Sequence, residues 1–164
     1  VTVAEARSPL ASAATAIAVA AGTGLGSGFF PVAPGTAGSL VAVGLYWALA
    51  PAGLPVLFLV VALLFAVGVW AAGVCGRRYG KHDHGRIVID EFVGQLIALA
   101  TFPATPAWSL AGFLLFRLFD IWKPFPARTI DRGWRSGTGV MADDVVAGIY
   151  ANLALQCARL ALAA

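Results

Sequence analysis

Two pairs of adjacent acids each head an apolar stretch: Asp90-Glu91 before Phe92-Val-Gly94-Gln95, and Asp143-Asp144 before Val145. A fifth acid, Asp120, lies in Arg117-Leu-Phe-Asp120-Ile-Trp-Lys123-Pro124. Carboxylates are hard oxygen donors that suit Mg²⁺, and Arg and Lys suit phosphate oxygens. Together they form the set that phosphoryl chemistry uses. The metal neutralises phosphate charge and activates water, while the cationic side chains hold the remaining oxygens.

Each cluster also has a plainer reading. Acids in the first turn of a helix favour its dipole, so a cap explains one of Asp90 and Glu91 and leaves the other open as a ligand. Asp143 and Asp144 are expected to open the last helix in the same way, with Gly148 and Asn152 one and two turns further on. Finding the pattern twice weakens the cap reading. Asp120 is expected near the end of a helix, where an acid is disfavoured, so it needs a cation: Arg117 three residues earlier, Lys123, or a bound metal. Pro124 and Pro126 stop that helix.

The chain from Gly24 to Ser39 is a Gly/Pro/Ser/Thr loop between two helices. Thr36 or Ser39 is expected to cap the following helix, whose N-terminus favours anions, although a plain turn has the same composition. Gly137 and Gly139 permit a backbone nest for phosphate oxygens. In His82-Asp83-His84-Gly85, histidines beside carboxylates could bind a divalent metal, but His82 and His84 lack a clear helical spacing, which favours a surface role or a place outside the ligands.

These charges sit in an unusual chain. Of 164 residues, 60% are hydrophobic and 12% charged, and Ser8 to Gly76 contains no Asp, Glu, Lys or Arg. Soluble proteins carry about 25% charged residues, so a bilayer is the natural solvent here. Charge kept near lipid is costly, which makes the clustering functional rather than decorative. The net charge of +3 and pI near 9.2 suit an anionic membrane surface or substrate. Nucleic acid is a poor fit, since the aromatics lie in apolar runs instead of between basic residues. Cys75 and Cys157 have neither metal-ligand spacing nor a disulfide framework and read as packing residues.

The elements that must carry the site are helical. Leu54 to Cys75 is uncharged and ~33 Å long as a helix, enough for a hydrocarbon core of about 30 Å. With Ser39–Ala50 and the turn at Pro51–Pro55 it forms a hairpin. Arg77, Arg78 and Lys81 follow, which places that end, and residues 22–38 with it, in the cytoplasm. Phe92–Phe102 and Trp108–Phe116 are two runs of ~15 Å each, expected as a re-entrant or buried hairpin. Val145–Ala164 spans or packs against the others. Leu10–Ala21 weakly resembles a signal-peptide core, but it runs straight into the Gly-rich loop, which favours a retained buried helix. The fold class is all-α: a membrane bundle of short and spanning helices with its motif loops on the cytoplasmic face. Residues 1–164 read as one domain.

At these motifs the chain closely resembles the phosphatidylglycerophosphatase A family of bacterial membrane enzymes. The matching stretches are GSGFFPVAPGTAGSL (26–40), KHDHGRIVIDEFVGQ (81–95), FRLFDIWKPFPARTIDR (116–132) and GVMADDVVAGIYAN (139–152). Ser136-Gly137 stands where the family has Gly-Gly. The resemblance implies Mg²⁺-dependent hydrolysis of phosphatidylglycerophosphate, itself an anionic phospholipid, to phosphatidylglycerol and phosphate at the inner membrane. The family's acidic motif residues match Asp90, Glu91, Asp120, Asp143 and Asp144, the metal-ligand candidates, with one of them or His84 as base. Arg117, Lys123, Arg128 and Arg132 are the phosphate-clamp candidates, joined by Thr36, Ser39, Gly137 and Gly139 as substrate contacts. A homodimer is allowed and not required. The chain lacks the Cys-x₅-Arg, Asp-x-Asp and Lys-x₆-Arg-Pro signatures of phosphatases that form covalent intermediates. Two other classes remain as alternatives, an Mg²⁺-dependent phosphatidyltransferase and a lipid or ion transporter. The acid spacing of the first and the midplane charges of the second are both missing.

Overall fold

The computed structural model describes residues 9–163, which form seven α-helices and no strand. They are α1 (Pro9–Gly22), α2 (Pro34–Leu49), α3 (Leu54–Tyr79), α4 (Ile89–Leu99), α5 (Pro106–Trp122), α6 (Ala127–Gly133) and α7 (Gly137–Ala163). Proline and glycine punctuate them as their backbone limits require. Pro34, Pro55 and Pro106 sit in the first turns of α2, α3 and α5, where a missing N–H costs nothing. Gly80 ends α3 in the left-handed conformation, φ 71°.

Three segments are long and apolar enough to cross a bilayer: Pro34–Ala52, Leu54–Tyr79 and Gly137–Ala163. Their outward faces carry Leu40, Trp47, Phe58, Leu59, Leu63, Trp70, Ile149 and Leu153, all exposed in the isolated chain. Water would not tolerate such a belt on helices whose backbone bonds are satisfied internally, whereas lipid does. The protein is an all-α membrane protein.

At the centre stands the short helix α4. It packs against α2, α3, α5 and α7, and nine of its eleven residues are buried. Its crossing with α7 is backbone on backbone. A Cβ at Gly148 would lie 2.4 Å from the Gly94 carbonyl oxygen, and one at Gly94 would lie 2.7 Å from that of Asp144. Asn152, one turn beyond Gly148, donates from Nδ2 to the carbonyls of Ile97 (3.2 Å) and Ala98 (3.1 Å) at the end of α4. Gly148→Ala is therefore expected to push α4 and α7 apart at a cost of about 1–3 kcal/mol. Thermal unfolding in detergent measures this; an unchanged melting temperature would contradict the close crossing.

Several expectations need correction. The second short run is not half a bilayer long: α5 has 17 residues and continues past Phe116 through Arg117 and Asp120. Their i, i+3 ion pair of 2.8 Å lets the charged turn stay helical until Pro124. The last helix opens at Gly137, so Asp143 and Asp144 lie well inside α7 and cap nothing. Gly137 and Gly139 are helical and form no nest. They are small because Cβ atoms there would lie 2.0 Å from the Val69 carbonyl oxygen and 1.9 Å from that of Trp134. Neither Thr36 nor Ser39 caps α2, whose N-cap is Ala33; Ser39 Oγ donates to the Gly35 carbonyl one turn back (2.9 Å). The helix over Leu10–Ala21 forms as α1, yet among its described side chains only Ala18 and Gly22 are buried, both facing α3. Cys75 is a packing residue as expected, whereas Cys157 is exposed on α7.

Candidate active site

Helices remote in sequence bring the acids together. The first turn of α4 supplies Asp90 and Glu91, the last turns of α5 supply Arg117 and Asp120, and the second and third turns of α7 supply Asp143 and Asp144. One oxygen each from Asp90, Glu91 and Asp144 lie within 4.8 Å of one another. Asp120 comes within hydrogen-bonding reach of Asp144, and the charge of Asp143 reaches Asp90. All five predicted acids thus share one site. The Gly94–Gly148 crossing sets this convergence, because it fixes the register of α4 against α7 just beyond the acids.

Two cations divide the five acids. Arg117 Nη1 lies 2.8 Å from Asp120 Oδ2, 3.7 Å from Glu91 Oε1, and donates to Ser39 Oγ at 3.4 Å. Gly35, in the first turn of α2, leaves the room that the Glu91 head occupies; a Cβ there would lie 2.1 Å from Glu91 Oε1. Lys123 Nζ donates to Asp131 Oδ1 (2.9 Å) and to Asp143 Oδ2. It can do so because Lys123 leaves α5 in the left-handed conformation, φ 47°, the residue before Pro124 being barred from continuing the helix. Burial alone would lower the Lys123 ammonium; Asp143 and Asp131 outweigh it and hold the group above the ordinary lysine range.

The remaining oxygens are short of partners. Asp90 Oδ1, Glu91 Oε2, Asp143 Oδ1 and Asp144 Oδ2 are buried without a hydrogen bond. Burial, followed by the charges of Glu91, Asp144 and Asp143, pushes the Asp90 carboxyl well above the usual range. Burial also raises Glu91 to about 7, with Asp120 adding to the shift, while Asp90 and Arg117 oppose it. Close, dry, unpartnered carboxylate oxygens are the donor set of a hard divalent cation, and the residues present fit Mg²⁺.

A stability prediction follows with a definite sign. A carboxyl whose folded value is raised stabilises the fold while protonated and loses that contribution as pH rises through the folded value. For Glu91 the window runs from its ordinary 4.5 to about 7. The metal-free protein should therefore melt at progressively lower temperature across that range. Added Mg²⁺ should restore more stability at the upper end, since cation binding needs the ionised acids. A melting temperature that climbs over the same interval would contradict the buried, unpaired cluster.

The other predicted residues lie further out. His84 Nδ1 accepts the Arg86 backbone N–H (3.2 Å) and its ring packs on Tyr79 at 4.6 Å, outside the three-carboxylate group. Arg128 and Arg132 are exposed on α6 and form no ion pair among the described residues. Thr36 is half-buried in the first turn of α2, next to Gly35. Sequence reasoning did not single out Asp131 as the second partner of Lys123, nor Asp83, whose charge reaches Asp143. It also passed over Gln95, fully buried on α4; a lone amide inside an apolar run was the available signal.

Residues 20–159 match the profile of the family described as phosphatidylglycerophosphatase A. The phosphatidylglycerophosphatase A of Escherichia coli (strain K12) is 42% identical over 127 residues, covering 77% of this chain and 74% of the relative. That of Haemophilus influenzae is 46% identical over 130 residues, covering 78% and 80%. A Bacteroides thetaiotaomicron protein, named provisionally as a phosphatidylinositol-3-phosphatase, is 44% identical over 147 residues, covering 84% and 91%. No solved structure matches the chain significantly. With its motif residues gathered at one end of a helical membrane bundle, and with this match over most of its length, the chain belongs to the phosphatidylglycerophosphatase A family.

Proposed function

We propose that the protein is an Mg²⁺-dependent lipid phosphatase that hydrolyses phosphatidylglycerophosphate to phosphatidylglycerol and inorganic phosphate. One observation carries the reading: Asp90, Glu91 and Asp144 each bring an oxygen within 4.8 Å of the others, beside Arg117, in a chain of this family. Those three acids would hold the cation. Bound there, Mg²⁺ supplies electrostatic stabilisation to the phosphoryl group and lowers the pKa of water.

The chain's own residues do the rest. Arg117 and Lys123 offer their remaining N–H groups to the phosphate oxygens, while Asp120 and Asp143 keep both cations oriented. Asp143, whose Oδ1 has no partner, takes the proton of the attacking water. Water adds to phosphorus, the phosphorus–oxygen bond to the lipid breaks, and the proton held by Asp143 passes to the leaving oxygen, so the lipid departs as its alcohol. No side chain need become phosphorylated. Arg77 and Arg78 in the last turn of α3, with Lys81 just beyond it, support a cytoplasmic site at a bacterial inner membrane.

The test is phosphate release by purified protein from phosphatidylglycerophosphate and from phosphatidylinositol-3-phosphate, with Mg²⁺ and with excess chelator. We expect the first lipid to be preferred and chelation to reduce its turnover by at least about 10²-fold. Undiminished turnover in excess chelator would remove the metal role, and a preference for the inositol lipid would reassign the substrate.

A further inference from the structure

Gln95 is the one residue on α4 whose burial has no account in packing or in the chemistry above. Its side chain is 0% exposed, and neither Nε2 nor Oε1 has a hydrogen-bond partner. A buried amide left unpaired destabilises the fold, and Leu or Met would fill the same space without that cost. What surrounds it indicates its use. On α4 Gln95 follows Glu91 by one turn and precedes Leu99 by one turn. Glu91 faces Gly35 of α2 and Arg117 of α5, while Leu99 faces Tyr46 of α2 and Gly112 of α5. The four-residue spacing puts Gln95 on the side of α4 that Glu91 and Leu99 share, the side turned to α2 and α5.

Two more buried atoms have no hydrogen bond, Glu91 Oε2 one turn away on the same helix and Arg117 Nε on the side chain paired with Glu91. One is an acceptor and the other a donor. A side-chain amide is the group that serves both at once, giving an N–H to the carboxylate and accepting the guanidinium N–H at its oxygen. Residues four apart on a helix have Cβ atoms about 6 Å apart, within reach of two long side chains. Neither Leu nor Met can do this, and Glu would repel the carboxylate.

We propose that Gln95 is a positioning residue, its amide bridging Glu91 Oε2 and Arg117 Nε when the acids hold a cation. The inference rests on the cation reading above. It assigns Gln95 the task of fixing a ligand and a phosphate-holding side chain in one orientation, as outer partners of metal ligands do elsewhere.

The experiment titrates Mg²⁺ against the melting temperature of purified full-length protein, wild type beside Gln95→Met and Gln95→Leu, and measures turnover at low and saturating Mg²⁺. We expect both variants to need about 10- to 100-fold more Mg²⁺ for half of the thermal shift. Their metal-free melting temperatures should equal or exceed that of wild type. Saturating Mg²⁺ should bring turnover back towards wild type, which it would not do for a merely misfolded core. Unchanged Mg²⁺ dependence in both variants would overturn the role of Gln95. A wild-type melting temperature indifferent to Mg²⁺ would overturn the cation reading itself, and the proposal with it.

Discussion

Asp144→Asn should reduce phosphate release by about 10³-fold or more while leaving the metal-free protein as stable as wild type, or more so. The two halves of this expectation have one cause. Asp144 is 3% exposed, borders Asp120, Glu91 and Asp143, and leaves Oδ2 without a partner. In a protein without its cation, such a carboxyl contributes mainly repulsion and lost hydration. Asparagine keeps the shape and removes that charge, so the fold gains. The loaded site loses one of the three negative charges that would hold the cation and keeps only a neutral amide oxygen there, so the chemistry fails. Paired assays of turnover and of unfolding with and without Mg²⁺ separate the effects. A variant that lost activity because it no longer folded, or that kept wild-type turnover, would contradict this assignment of Asp144.

Lys123→Met is expected to act in the opposite sense on stability. Lys123 joins the end of α5 to α6 through Asp131 and to α7 through Asp143, and the Asp143 side chain is only 6% exposed. Removing the ammonium leaves a buried carboxylate beside Asp90 with no cation, a change that costs about 3–5 kcal/mol at fully buried pairs. The Lys123 side chain keeps 24% exposure, so about 3 kcal/mol is the expected loss. Turnover should fall as well, because the same side chain is assigned to the phosphate. Arg128→Ala and Arg132→Ala provide the contrast: exposed and without ion pairs, they should change stability by less than about 0.5 kcal/mol. Equal stability losses in all three variants would show that Lys123 is no more than a surface charge.

Much of the site was legible because charge is expensive in an apolar chain. With no acid or base between Ser8 and Gly76, the later clusters stood out by position alone. The misplaced Asp120 announced its need for a cation, and Arg117 meets it at 2.8 Å. Gly148 stood one turn beyond Asp144 with no side chain, and the backbone of α4 occupies the space so left. Glycines are harder to interpret, since the residue that permits a phosphate nest also permits tight helix packing. Gly137 and Gly139 serve the second purpose. Helix ends were misjudged for a related reason: Asp143-Asp144 resembles a cap, yet the residues from Gly137 onward extend the helix by nearly two turns before them.

Composition and local spacing were sufficient for the kind of molecule and its reagents, because hydrophobic length and the cost of isolated charge are properties of the chain itself. They settled a helical membrane protein with five acids in reserve. Which acid stands beside which cation was decided by the fold. Lys123 reaches Asp143 only because the backbone reverses before Pro124, and Asp90 meets Asp144 only because two glycines let α4 and α7 touch. Contacts between residues fifty positions apart depend on how helices cross, and no local pattern contains that angle.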